Sequence, residues 1–153
     1  MNLPERKSTR IPNFDYAKQN YYFVTICTNQ KKCIFWAGNI LNTWGQIAQE
    51  CLNKISGIYD GVRIDKFTIM PNHIHAIVVL EKTNCAALTQ IIGKYKAAVT
   101  KQIHKQNTTE TVWQRSFHDH IIRNQKDYER IWLYIHGNPQ RWDEDCFYTT
   151  EEV

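Results

Sequence analysis

The sequence has no Cys-x-x-Cys pair, no internal repeat, no low-complexity linker and no long apolar run. Its five cysteines, Cys27, Cys33, Cys51, Cys85 and Cys146, are scattered and odd in number, which argues against a disulfide framework and against a thiolate zinc site. The longest unbroken aliphatic run, residues 76–80, is too short to cross a bilayer. Residues 1–10 are polar and lack the apolar stretch of an export signal, so a cytoplasmic protein is expected.

What is present is a chain of 153 residues with 42% hydrophobic and 12% aromatic content, enough for one globular domain with a core of its own. The net charge of +4 conceals an asymmetry. Asp143, Glu144, Asp145, Glu151 and Glu152 place five acids and no base in residues 143–153, leaving residues 1–142 with 19 bases against 10 acids, a net of +9. The expected organisation is one domain over residues 1–142, opened by a short basic arm with Arg6, Lys7 and Arg10, and an acidic tail over 143–153. A basic body with an acidic tail fits a polyanion-binding protein, and fits a well-solvated surface equally.

Residues 21–28, rich in aromatic and β-branched side chains, read as a strand, with residues 29–32 as a turn. Trp44, Ile47, Ala48, Cys51, Ile55 and Ile58 recur at helical spacing and predict a helix over about 41–58. Val62–Ile69 and His73–Leu80 read as a hairpin joined through Met70, Pro71 and Asn72. A second helix is expected over 87–105. Its Lys94, Lys96, Lys101 and Lys105 meet no acid between Thr83 and Thr109, making a locally basic surface. A strand over 117–123 and a helix over Gln125–Gly137 follow. The order β-α-β-β-α-β plus a helix is that of an α+β, ferredoxin-like (split βαβ) antiparallel sheet with helices on one face and an extra C-terminal helix. That fold serves enzymes, metal chaperones and RNA binders, so function has to come from the site.

His73 and His75 are two apart on a strand and therefore project to the same face, while Ile74, Ala76 and Val78 face the other way. The pair is either a metal half-site or a structural feature of the sheet. His118-Asp119-His120 is a second candidate: metal ligands if its strand lies beside the first, phosphate contacts, or a solvated strand edge, with Asp119 aimed at the opposite face. On the last helix Arg130, Tyr134 and Asn138 are spaced by four and share a face. Gly137 and Pro139 end the helix, and Pro139 is expected to push Asn138 out of helical geometry. These residues are equally compatible with a packed tyrosine at an ordinary helix stop.

Four ordered blocks shift the balance: Tyr22-Phe23-Val24-Thr25-Ile26-Cys27-Thr28, Met70-Pro71-Asn72-His73-Ile74-His75, residues 113–123 from Trp113 to Arg123, and Tyr134-Ile135-His136-Gly137-Asn138-Pro139. Together they resemble the REP-associated tyrosine transposases, single-tyrosine HUH nucleases related to the small transposases of single-strand insertion sequences. The resemblance runs from about Tyr16 to Arg141. It implies a metal-dependent DNA endonuclease and strand transferase in which Tyr134 is the nucleophile and His73, His75 and Asn138 hold Mg²⁺ or Mn²⁺. It implies as substrate single-stranded DNA next to a hairpin, a 5′-phosphotyrosine intermediate, and a nucleoid-associated protein that is a monomer or a helix-exchanged homodimer. DNA contacts are expected from Lys94, Lys96, Lys101 and Lys105, from Arg6, Lys7 and Arg10, and from Arg115, Arg123 and Arg130 nearer the site. The alternatives are a non-catalytic hairpin-DNA-binding protein on the same fold and a histidine-based metal carrier, the latter disfavoured by the basic surface.

Overall fold

The computed structural model describes residues 20–81, 86–145 and 148. Its centre is a four-stranded antiparallel sheet made by β1 (Asn20–Cys27), β4 (Val62–Ile69), β5 (His73–Leu80) and β6 (His118–Ile122), in the order β4-β5-β1-β6. Because β1 and β4 each pair antiparallel to β5, they run parallel to one another with β5 inserted between them, which is the split βαβ arrangement. All eight residues of β5 are buried, as expected for a strand covered on both faces.

Period-two alternation sorts the side chains into two cores. Tyr22, Val24 and Ile26 of β1 with Ile74, Ala76, Val78 and Leu80 of β5 point to one face. There they meet α1 (Thr43–Asn53) and α3 (Leu88–His104), whose Leu88, Ile91, Ile92, Tyr95, Val99 and Ile103 are buried. Asn42 caps α1 by accepting a bond from the Gly45 N–H at 2.9 Å. A Cβ at Gly45 would stand 2.2 Å from the Phe35 carbonyl oxygen, so glycine is what lets α1 approach that strap of chain.

Phe23, Ile77, Val79 and Ile122 point to the other face and are covered by α4 (Gln125–Gly137) through Ile131 and Ile135. Each isoleucine so buried contributes about 1.5–3 kcal/mol. Asn124 caps this helix by accepting from the Asp127 N–H at 2.8 Å. On the β4 side the Tyr128 hydroxyl donates to Asp65, and the Lys66 ammonium lies 4.2 Å from the centre of the Trp132 ring. The sheet thus has two helices on one face and the C-terminal helix alone on the other.

Three local features differ from the sequence expectation. The helix expected over 41–58 breaks at Lys54 into α1 and a single turn, α2 (Ile55–Ile58), where Ser56 and Gly57 sit exposed and favour helix poorly. A hairpin of two-residue strands, β2 (Trp36–Ala37) and β3 (Ile40–Leu41), turns at Gly38 with φ +62°. Asn138 keeps helical dihedrals (φ −62°, ψ −42°), since Pro139 occupies the first turn of a 3₁₀ segment, Asn138–Glu144, that continues the chain. No helix among the described residues is long and apolar enough to cross a membrane.

Candidate metal and nucleophile site

β5 carries His73 and His75 on the face that α4 covers. Both are buried, and their Nε2 atoms stand 3.1 Å apart. Each ring is oriented from behind. Nδ1 of His73 lies 2.8 Å from Oδ1 of Asn72, and Nδ1 of His75 lies 2.9 Å from Oγ1 of Thr25 on the neighbouring strand. An amide oxygen only accepts, so Nδ1 of His73 carries the proton and its Nε2 presents a lone pair to the site. Burial pushes both imidazoles below their ordinary pKa. For His73 the Asp145 carboxylate opposes this and the Lys31 ammonium adds to it; for His75 the neighbouring His73 pushes it further down, against Asp145. Neutral imidazoles whose Nε2 atoms converge are what a divalent cation requires.

α4 brings the remaining groups. The Tyr134 ring centre lies 5.3 Å from that of His75, and the ring meets Phe23 edge-on at 6.3 Å. One turn later Asn138 is 3% exposed, and its Nδ2 has no hydrogen-bond partner among the described residues. A buried amide left unpaired costs about 1–3 kcal/mol, a cost relieved if the amide oxygen faces a cation and the NH₂ group a substrate oxygen. α4 thus docks Tyr134 against His75 within one chain and leads into a buried Asn138 at the start of the 3₁₀ segment.

A further donor, Asp145, stands outside the sequence-derived set. The 3₁₀ segment after Asn138 turns the start of the acidic tail back over β5, bringing the Trp142 ring 6.1 Å from that of His73. The Asp145 carboxylate lies 3.5 Å from Nε2 of His73, with both side chains fully buried. Donor atoms of His73, His75 and Asp145 all fall within 4.8 Å of one another, close enough to share a metal ion. Two imidazoles, a carboxylate and an amide oxygen, without thiolate, suit Mg²⁺ or Mn²⁺, with imidazole favouring manganese. The tail's charge is legible in the sequence, and Trp142 and Tyr148, whose rings meet edge-on at 5.2 Å, flank the acids as the signal that part of it packs. Thr25 and Asn72 fall within two of the four sequence blocks, and only their contacts with the imidazoles give them a task.

The second histidine pair stays apart from this cluster. His118 and His120 share the α4 face, but β1 lies between β5 and β6, so Thr25 pairs with His75 on one side and His118 on the other. Asp119 is buried and, in register with Val24, faces the α1/α3 side. His120 instead bonds Asp127 at 2.8 Å, and Arg130 pairs with the same carboxylate at 2.5 Å, tying β6 to the first turn of α4.

The expected cations divide as well. Lys94, Lys101 and Lys105 are exposed along α3, across the sheet from the histidine pair. Lys96 donates to the carbonyls of Gln114 and Ser116, both at 2.8 Å, and so holds the loop before β6. Arg115 and Arg123 are exposed at the two ends of that strand. Arg6, Lys7 and Arg10 lie outside the described residues.

Comparison with known proteins is consistent with this geometry. The family model "Transposase IS200 like" matches residues 16–138. An uncharacterised protein of Haemophilus influenzae is 33% identical over 172 aligned positions, covering 95% of this chain and 94% of that one. Among solved structures, a REP-associated tyrosine transposase bound to a REP hairpin superposes with a TM-score of 0.64 at 24% identity, over 92% of this chain and 74% of the other. A candidate transposase of Deinococcus radiodurans superposes with a TM-score of 0.55 at 12% identity, over 85% and 97% of the two chains.

Proposed function

The chain belongs to the IS200-like transposase family, and on that footing we propose that it cuts and rejoins single-stranded DNA beside a hairpin through a covalent link to Tyr134. The observation that carries this reading is the docking of Tyr134 against His75, with Asp145 converging on the same buried histidine pair. The hairpin as substrate is supported by the solved relative, which was captured with one.

The chain's own groups have definable tasks. His73 and His75 would hold a divalent ion through Nε2, with Asn138 through its amide oxygen and Asp145 through its carboxylate. Asn72 and Thr25 fix the two imidazoles in the orientation this requires. A bound Mg²⁺ or Mn²⁺ supplies Lewis acidity at the scissile phosphate and offsets the charge that repels an incoming phenolate. Burial of the histidines excludes water from that side of the site and strengthens every charge interaction within it. A phenol is protonated at neutral pH and must lose its proton as it attacks. The Tyr134 oxygen then bonds to phosphorus, the bond from phosphorus to the 3′ oxygen breaks, and that oxygen leaves as a 3′-hydroxyl after taking up a proton. A 5′-phosphotyrosine remains. Attack by another 3′-hydroxyl runs the step backwards, returns the proton to Tyr134 and joins a new strand.

Incubation of the protein with a labelled single-stranded hairpin oligonucleotide and Mn²⁺ tests the proposal. The expected product is a DNA–protein adduct that survives denaturing electrophoresis and is lost on chelation of the metal. Retardation of the oligonucleotide in a native gel with no adduct would identify a non-catalytic hairpin-binding protein instead.

A further inference from the structure

Trp132 and His136 are four apart on α4, and their rings stack with centres 4.9 Å apart and planes 21° from parallel. Trp132 is half-buried and His136 exposed, so the stack opens to solvent on the histidine side. Leu133 beside them is 61% exposed and widens the apolar surface.

Two cations border this stack. Lys66 pairs with Ile77 and so stands on the face that α4 covers, on the edge strand β4. Its ammonium lies 4.2 Å from the centre of the Trp132 ring and 3.2 Å from Nδ1 of His136. An ammonium only donates, so Nδ1 accepts, and the neutral imidazole carries its proton on Nε2. The second cation comes from the 3₁₀ segment. A Cβ at Gly137 would collide with the Arg141 guanidinium, so glycine is what lets that exposed side chain lie against the end of α4.

Helical geometry relates the platform to the nucleophile. Tyr128, Ile131 and Ile135 lie along the buried side of α4. Trp132 and His136 flank that stripe towards β4, while Tyr134 flanks it on the other side, against His75 and Phe23. On the outward arc of the helix Gly137, with Arg141 over it, comes between His136 and Tyr134. Platform and nucleophile are thus separated by about one helix width, roughly 10 Å.

We propose that this platform holds an unpaired nucleotide of the substrate strand, its base stacked on the His136 ring and its phosphates against Lys66 and Arg141. The inference rests on the cleavage reading above and adds to it the place where the single-stranded flank is gripped. Flat rings beside cations are the composition of single-strand binding surfaces, because every base has a face to stack and every nucleotide a phosphate. A duplex keeps its base faces inside its own stack, so the platform favours the flank over the hairpin stem. The C-terminal end of a helix carries partial negative charge and by itself repels phosphate; Lys66 and Arg141 reverse that sign locally. Glu129, on the same flank of α4, lies a turn further from the nucleophile and is bonded by the Gln125 amide at 3.1 Å.

Binding is measured in the Tyr134→Phe background, where DNA stays uncut, with two oligonucleotides: a bare hairpin and the same hairpin carrying single-stranded flanks. His136→Ala, His136→Phe, Lys66→Gln and Arg141→Gln are compared with this parent, each with its thermal melt. The flanks are expected to tighten binding to the parent and to quench its tryptophan fluorescence, with the quench diminished by Trp132→Phe. His136→Ala weakens binding of the flanked hairpin by about 5- to 150-fold, the range for losing one stacked base, and leaves the bare hairpin unchanged. His136→Phe keeps a flat ring and restores binding to within about threefold. Lys66→Gln and Arg141→Gln each lower the slope of log affinity against log salt by about 0.7, for the flanked hairpin alone. Flanks that add no affinity to the parent overturn the inference, as does a gain from the flanks that is equal in His136→Ala and the parent. Equal losses for both oligonucleotides, with a lower melting temperature, also overturn it and leave the stack as a brace for α4. A wild-type protein that forms no adduct sinks the cleavage reading alone, since the effect of the flanks is read without cleavage.

Discussion

The Asp145 carboxylate lies 3.5 Å from Nε2 of His73, and neither side chain is exposed to water. A carboxylate shut away from solvent beside two imidazoles that burial keeps neutral lacks a full counter-charge from them, and a divalent cation held by the three would supply it. Asp145→Asn is therefore expected to lower Mn²⁺ affinity by about tenfold or more, read by calorimetry or paramagnetic resonance. The same substitution reduces the rise in melting temperature that saturating Mn²⁺ gives the wild type, since a ligand at 100 times its Kd stabilises by about 2.7 kcal/mol. Equal Mn²⁺ affinity in the two proteins would remove Asp145 from the metal set.

The tail also acts through its charge. Residues 143–153 carry five acids and no base, and Asp145 among them packs against His73, which a DNA phosphate would have to approach under the proposed function. Deleting residues 146–153, which removes Glu151 and Glu152 and spares Asp145, is expected to strengthen hairpin binding at low salt, with the advantage shrinking as ionic strength rises past the point where the Debye length is about 8 Å. Affinity that stays the same at every salt concentration would mean that the tail lies off the DNA path.

α4 has to sit still for Tyr134 to stay on His75, and Tyr128 pins it to β4. The Tyr128 hydroxyl donates to Asp65, which Arg63 also contacts, and burial together with that carboxylate raises the phenol to about 12. A phenol raised in the folded state favours folding fully below its unfolded value near 10, and this contribution is lost as pH rises through about 12. Thermal melts between pH 10 and 12 are expected to fall more steeply for the wild type than for Tyr128→Phe. Parallel curves would show that the Tyr128–Asp65 contact holds nothing in place.

Much of this architecture is legible without coordinates where local pattern and burial agree. β4, β5 and α4 have the residues expected of them because Pro71 and Asn72 interrupt an apolar run at one place, and because Ile131 and Ile135 recur at helical spacing beneath an asparagine cap. His73, His75, Tyr134 and Asn138 are singled out as candidates by those periods plus the resemblance. What stayed hidden depends on contacts distant in sequence. Nothing local says that Asn72 reaches Lys31, that Asp145 returns to His73, or that β1 separates the two histidine pairs. The break at Lys54 follows weak helix formers at Ser56 and Gly57, and Asn138 stays helical because Pro139 falls in the first turn of the 3₁₀ segment.

The most direct test of the account is the identity of the residue joined to DNA. The wild-type adduct formed with a hairpin oligonucleotide and Mn²⁺ is digested with protease and nuclease and sequenced by mass spectrometry. The account predicts a nucleotide phosphate on Tyr134 and no adduct from Tyr134→Phe, which still binds the hairpin. A phosphate mapped to another tyrosine, or an undiminished adduct from Tyr134→Phe, would contradict it.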